Sequence, residues 1–69
     1  MPLLLAPRGE ENMIKKVGGS RELKKHLEDM GFVPGGRVTV ISAIAGSLIV
    51  RVKDSRVAIS KEMAGKIMV

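Results

Sequence analysis

The stretch Ser20-Arg21-Glu22-Leu23-Lys24-Lys25-His26-Leu27-Glu28-Asp29-Met30-Gly31-Phe32-Val33-Pro34-Gly35 holds a helix start, an apolar stripe, a stop and a chain reversal in one unbroken run. The Ser20 hydroxyl can accept a hydrogen bond from an otherwise unpaired amide of the first turn, a cap worth about 1 kcal/mol. Glu22 adds negative charge where the helix dipole favours it. Leu23, Leu27 and Met30 follow at i, i+4 and i+7, which is one apolar stripe on an otherwise charged helix. Gly31 is placed to take the left-handed conformation that ends it. Beyond the stop, Phe32 and Val33 can fold back over the helix end. Pro34 then pre-sets its own φ, and Gly35 tolerates the positive φ that a type II turn requires next.

On either side of this segment the apolar period shortens to that of strands. Asn12 to Val17 reads as a first strand, entered through Pro7-Arg8-Gly9 and ended by Gly18-Gly19. Arg37 to Ile44 and Leu48 to Lys53 are rich in β-branched residues and form the main hairpin across Ala45-Gly46-Ser47. Lys53-Asp54-Ser55 turns into a third strand, Arg56 to Ser60. Lys61 to Lys66 allows about one helical turn before a last strand, Ile67 to Val69. The reading is a mostly β chain: a small, closed or nearly closed five-stranded barrel with one α-helix between the first strand and the main hairpin.

Hairpin register stays open at this level. A two-residue loop at Ala45-Gly46 pairs Ile41 with Val50 and Ala43 with Leu48; a three-residue loop puts Val40, Val52, Ser42 and Val50 on the paired face. In both, Ile44 and Ile49 near the tip are expected to be exposed, and exposed aliphatics often mark a contact surface.

With 69 residues the chain is expected to be a single domain, 1–69. It has no cysteine, which excludes disulfides, zinc knuckles, iron–sulfur ligation and thiol catalysis, and fits a reducing cytosol. Phe32 is the only aromatic, so aliphatic side chains and the five methionines are expected to fill the core, Met30, Met63 and Met68 among them. Leu3-Leu4-Leu5 is too short for a secretory signal and is cut off by Pro7 and Arg8. The expectation is a cytoplasmic protein without membrane insertion.

No catalytic set assembles in the sequence. His26 is the only histidine. Glu22 and His26 share a helix face at i and i+4, but a metal site needs two further ligands that the helix does not offer. Gly18-Gly19-Ser20 lacks the Gly-x-x-x-x-Gly-Lys pattern of a phosphate loop and reads as a turn and cap. The chain is therefore expected to be no enzyme and to hold no cofactor. Binding is the remaining class. Proline-motif grooves, methyl-lysine cages and single-strand nucleic-acid barrels need several aromatics, which this chain lacks. The net charge of +5 leaves a minor alternative, duplex nucleic acid held through Lys15, Lys16, Arg21, Lys24, Lys25, Arg37, Arg51, Lys53 and Arg56. Glu28 and Asp29, four residues after Lys24 and Lys25, partly neutralise that stripe. A homo-oligomeric module using Ile44 and Ile49 is a third reading.

The same residues carry a family resemblance. Leu27-Glu28-Asp29-Met30-Gly31-Phe32-Val33-Pro34-Gly35, preceded by Ala6-Pro7-Arg8-Gly9-Glu10 and followed by Val38-Thr39-Val40-Ile41 and by Val57-Ala58-Ile59-Ser60-Lys61-Glu62-Met63-Ala64, resembles the FeoA family over nearly the whole chain. That resemblance implies an SH3-like barrel without enzymatic activity. It also implies a role in bacterial ferrous-iron uptake, by docking on the cytosolic, GTPase-containing part of the transporter FeoB. Similar domains end metal-dependent repressors, where they make protein contacts. The hairpin tip Ile44-Ala45-Gly46-Ser47-Leu48 is shorter than the Pro-Gly-Pro loop of many relatives, so contacts made through that loop do not carry over. The expected partner-binding residues are Arg21, Lys24 and Lys25 on the helix, Leu27 as either core or interface, and Ile44 and Ile49 near the hairpin.

Overall fold

The computed structural model describes residues 1–69, and its first helix, α1 (Arg21–Asp29), begins and ends as its sequence dictates. The Ser20 Oγ accepts a 3.1 Å hydrogen bond from the Leu23 amide. At the other end, the Gly31 amide donates to the Glu28 carbonyl and the Phe32 amide to the Leu27 carbonyl, both at 2.9 Å. This pair of reversed bonds is a Schellman motif, and Gly31 at φ +105° supplies the conformation it needs. The chain then turns back through Val33 to Gly36, where the Gly36 amide donates to the Val33 carbonyl at 2.9 Å and Gly35 stands at φ +88°. That is the expected type II turn.

The predicted first strand, Asn12 to Val17, is two strands: β1 (Glu11–Met13) and β2 (Lys16–Val17). β1 pairs antiparallel with β3 (Arg37–Ile44), whereas β2 pairs antiparallel with β6 (Ile67–Met68). The exchange happens at Ile14, whose side chain is fully buried. Its amide donates to Gly36 and its carbonyl accepts from Gly35, after which the Lys15 amide turns to the Met68 carbonyl. The backbone thus changes partners across one residue while keeping its polar groups satisfied.

The remaining strands are β4 (Ser47–Val52) and β5 (Ser55–Ser60), giving one four-stranded sheet in the order β1-β3-β4-β5 beside the two-stranded β2-β6. The two-residue-loop register holds at the hairpin tip but not along its whole length. Near the tip the loop is two residues long, with Ile44 opposite Ser47 and Ala43 opposite Leu48; beyond a shift between Val40 and Ser42, Val40 faces Val50 and Val38 faces Val52. Continuing the tip register would set Val40 against Arg51, an inward residue against an outward one. A bulge at Ile41 absorbs the mismatch and keeps Val38, Val40, Leu48, Val50 and Val52 all in the core.

A short helix, α2 (Lys61–Ala64), follows β5, and the Ser60 Oγ accepts from the Met63 amide at 3.1 Å. A single 3-10 turn, Leu3–Leu5, packs Leu3 into the core, and the Val69 amide donates to the Met1 carbonyl at 2.8 Å. The core cluster has 14 members, all of them aliphatic except Phe32. The methionines do not fill it. Met30 and Met63 only pack against its edge, and Met68 is half-buried. Regular Leu, Ile and Val positions on the strands supply the interior volume instead.

The β4–β5 turn is less well matched to its sequence. Lys53 and Asp54 stand at φ 50° and 62°, the two left-handed positions of a type I′ turn. Each non-glycine residue there costs about 1–2 kcal/mol relative to a relaxed conformation, Asp less than Lys. Replacing the pair with Asn-Gly (Lys53→Asn with Asp54→Gly) should raise stability by about 1 kcal/mol, read as a higher urea midpoint at unchanged slope.

Candidate functional site

The α1 helix separates its faces sharply. Leu27 is fully buried, Leu23 and Met30 pack against the core, and the other residues from Arg21 to Asp29 are exposed. Arg21, Lys24, Lys25 and Glu28 fall at i, i+3, i+4 and i+7, so they share one stretch of that outer surface. With Gly19 they line an open hollow at the start of the helix.

Lys24 and Glu28 also line a second hollow, together with Lys15, Lys16, Val17, Phe32 and Pro34. The two hollows therefore adjoin, with Lys24 and Glu28 common to both. They gather five cations, Lys15, Lys16, Arg21, Lys24 and Lys25, around one carboxylate, Glu28. None of these groups is ion-paired: the only salt bridge in the molecule joins Arg37 to Glu11 at 3.1 Å, on the sheet. With five cations to one carboxylate, the cluster sets up a positive potential over the hollows and favours an acidic surface over a neutral one.

Of the predicted partner-binding residues, Arg21, Lys24 and Lys25 come together as expected from their spacing. Leu27 belongs to the core and has no surface to offer a partner. Ile44 is 59% exposed at the end of β3, but Ile49 is half-buried rather than exposed, since it is flanked on both sides within the sheet, by Ser42 and by Ala58. Neither isoleucine lines the hollows beside α1. Sequence reading counted Lys15 and Lys16 among dispersed cations and did not set them next to the helix. The available signal was the short Gly18-Gly19 connection, which takes β2 directly into α1.

No group of three or more His, Cys, Asp or Glu side chains is placed to hold a metal ion, and His26 is exposed on α1. No helix is long and apolar enough to cross a membrane.

Comparison with known proteins agrees with this architecture. The model of the FeoA domain matches residues 1–69. A protein of Methanocaldococcus jannaschii, provisionally named Fe(2+) transport protein A, is 37% identical over 68 residues, covering 99% of this chain and 83% of its own length. Among solved structures, a crystal structure of an iron uptake regulatory protein (FeoA) superposes with a TM-score of 0.88 at 26% identity, covering 97% of this chain and 91% of the other. The zinc-complexed FeoA of Stenotrophomonas maltophilia, described as a procaryotic SH3 domain protein, superposes with a TM-score of 0.85 at 22% identity, covering 99% and 87%. The six strands thus form an SH3-like fold, and the chain belongs to the FeoA family, which is associated with ferrous-iron transport.

Proposed function

We propose that this protein is a non-catalytic cytoplasmic accessory of ferrous-iron uptake that docks, through the basic face of α1, on the cytosolic GTPase-containing part of the transporter FeoB. The observation that carries the reading is the cluster of five unpaired cations around Glu28, three of them on a helix whose opposite face is fixed in the core and two, Lys15 and Lys16, on the segment leading into it. Family membership supplies the iron-transport context. Charge supplies the recognition. Long-range attraction to an acidic surface raises the encounter rate and orients the approach, and the exposed Pro34 ring at the margin of the second hollow offers an apolar contact once the surfaces meet. The helix is suited to this because the Ser20 cap and the Gly31 stop hold Arg21, Lys24 and Lys25 in fixed mutual positions.

The test is capture of the purified cytosolic domain of FeoB by the immobilised protein, with the domain in its nucleotide-free, GDP-bound and GTP-analogue-bound states. Wild-type protein is expected to retain it in at least one state, and the double variant Lys24→Glu, Lys25→Glu to lose it with an unchanged circular dichroism spectrum. Equal capture by both proteins would remove α1 from the interface.

A further inference from the structure

The β5 strand is an open edge of the four-stranded sheet, and its hydrogen-bonding direction is set by the turn before it. A two-residue type I′ loop at Lys53-Asp54 makes Val52 and Ser55 a hydrogen-bonded pair, so the pairs alternate from there: Val50 with Val57 is bonded, whereas Arg51 with Arg56 and Ile49 with Ala58 are not. The other side of the sheet gives the same phase. The Val40 carbonyl turns away from β4 to accept from the Gly9 amide, which makes Val40 and Val50 a non-bonded pair and leaves Val50 bonded to β5. The amides and carbonyls of Arg56 and Ala58 therefore point outward by this alternation, and none of the turn, loop or side-chain hydrogen bonds uses the two amides.

Natural edges of this kind are commonly blunted by proline, a bulge or several charges. β5 contains no proline, and its register runs without a shift from Ser47 opposite Ser60 to Val52 opposite Ser55. Its one charge is Arg56, which lies directly across from Arg51, both exposed on the outer face of the sheet. Like charges directly opposite repel, and neither arginine has a carboxylate partner. On the inner side of the strand, Val57 remains half-buried at the core's margin.

We infer that β5 is a docking edge for an extended segment of a partner chain in which acidic and apolar residues alternate. The added strand pairs its backbone with Arg56 and Ala58, sets an acidic side chain beside Arg56 in the Arg51–Arg56 row, and lays an apolar one against Val57. A second copy of this chain is a poorer occupant, since two molecules of net charge +5 repel. The inference uses the sheet and none of the α1 cations, so it stands or falls separately from docking through that helix.

The experiment is a titration of the isotope-labelled whole chain with a blocked heptapeptide of alternating glutamate and valine, followed by NMR and amide hydrogen exchange. In the free chain, the Arg56 and Ala58 amides are expected to exchange fast and those of Val57 and Ile59 slowly. Added peptide should shift the Arg56 and Ala58 resonances and slow their exchange by about tenfold or more. The Ala58→Pro variant removes only an amide outside the ladder, so it should fold and no longer bind; Arg56→Glu should weaken binding by about tenfold. Undiminished binding by folded Ala58→Pro, or no shift with millimolar peptide, would overturn the inference. So would slow exchange at Arg56 and Ala58 in the free chain with a dimer in light scattering, since a second copy would then occupy the edge.

Discussion

Replacing Phe32 with alanine is expected to remove about 3–5 kcal/mol of stability, the usual loss for a fully buried aromatic. A 69-residue domain has on the order of 5–10 kcal/mol in total, so the variant should stand close to its unfolding threshold at room temperature. The side chain is the largest in the core, is fully buried and has no other aromatic to close over the space it leaves. Its position is also structural in a second sense. The Phe32 amide completes the α1 stop by donating to Leu27, and both side chains are fully buried, the apolar contact that accompanies a Schellman motif. Truncation should thus loosen the helix end as well as open a cavity. Urea unfolding followed by circular dichroism reads the loss directly. A change below about 1 kcal/mol would mean that the helix end does not depend on this anchor.

Reversing Lys24 and Lys25 to glutamate has the largest expected effect on binding. The surface beside α1 holds five cations and one carboxylate; the double variant leaves three of each, so its local balance falls from +4 to zero. Association with the cytosolic domain of FeoB should weaken by about tenfold or more, with the difference shrinking as salt rises, because exposed charges are screened beyond roughly 8–10 Å. Stability should fall by only about 1 kcal/mol, from the i,i+4 repulsion that glutamate at 24 and 25 meets at Glu28 and Asp29. Both lysines are exposed, neither is ion-paired, and glutamate is as good a helix former as lysine.

The parts of the fold that sequence reading reached are those governed by neighbouring residues. The Ser20 cap, the Gly31 stop and the Pro34-Gly35 turn are each decided within a few residues, and all stand where predicted. The misplaced features depend on distant partners. Whether Asn12 to Val17 is one strand or two is settled by Gly35, Gly36 and Met68, which take the hydrogen bonds of Ile14 and Lys15. The bulge at Ile41 arises only when the turn at one end of the hairpin and the core at the other demand different registers, and no local pattern marks that conflict. Half-burial of Ile49 follows from its flanking by Ser42 on β3 and Ala58 on β5, which also depends on distant partners. For the candidate site, helix periodicity was enough to group Arg21, Lys24 and Lys25. Adding Lys15 and Lys16 required knowing that β2 leads into α1 beside them, which is tertiary information.

Docking through the α1 face is tested most directly by mapping the isotope-labelled protein against unlabelled cytosolic domain of FeoB in NMR. The predicted result is shifts or line broadening from Lys15 and Lys16 through Arg21, Lys24, Lys25 and Glu28, with Ile44 unaffected. Absence of any perturbation in every nucleotide state, or perturbations confined to the hairpin tip around Ile44, would contradict it.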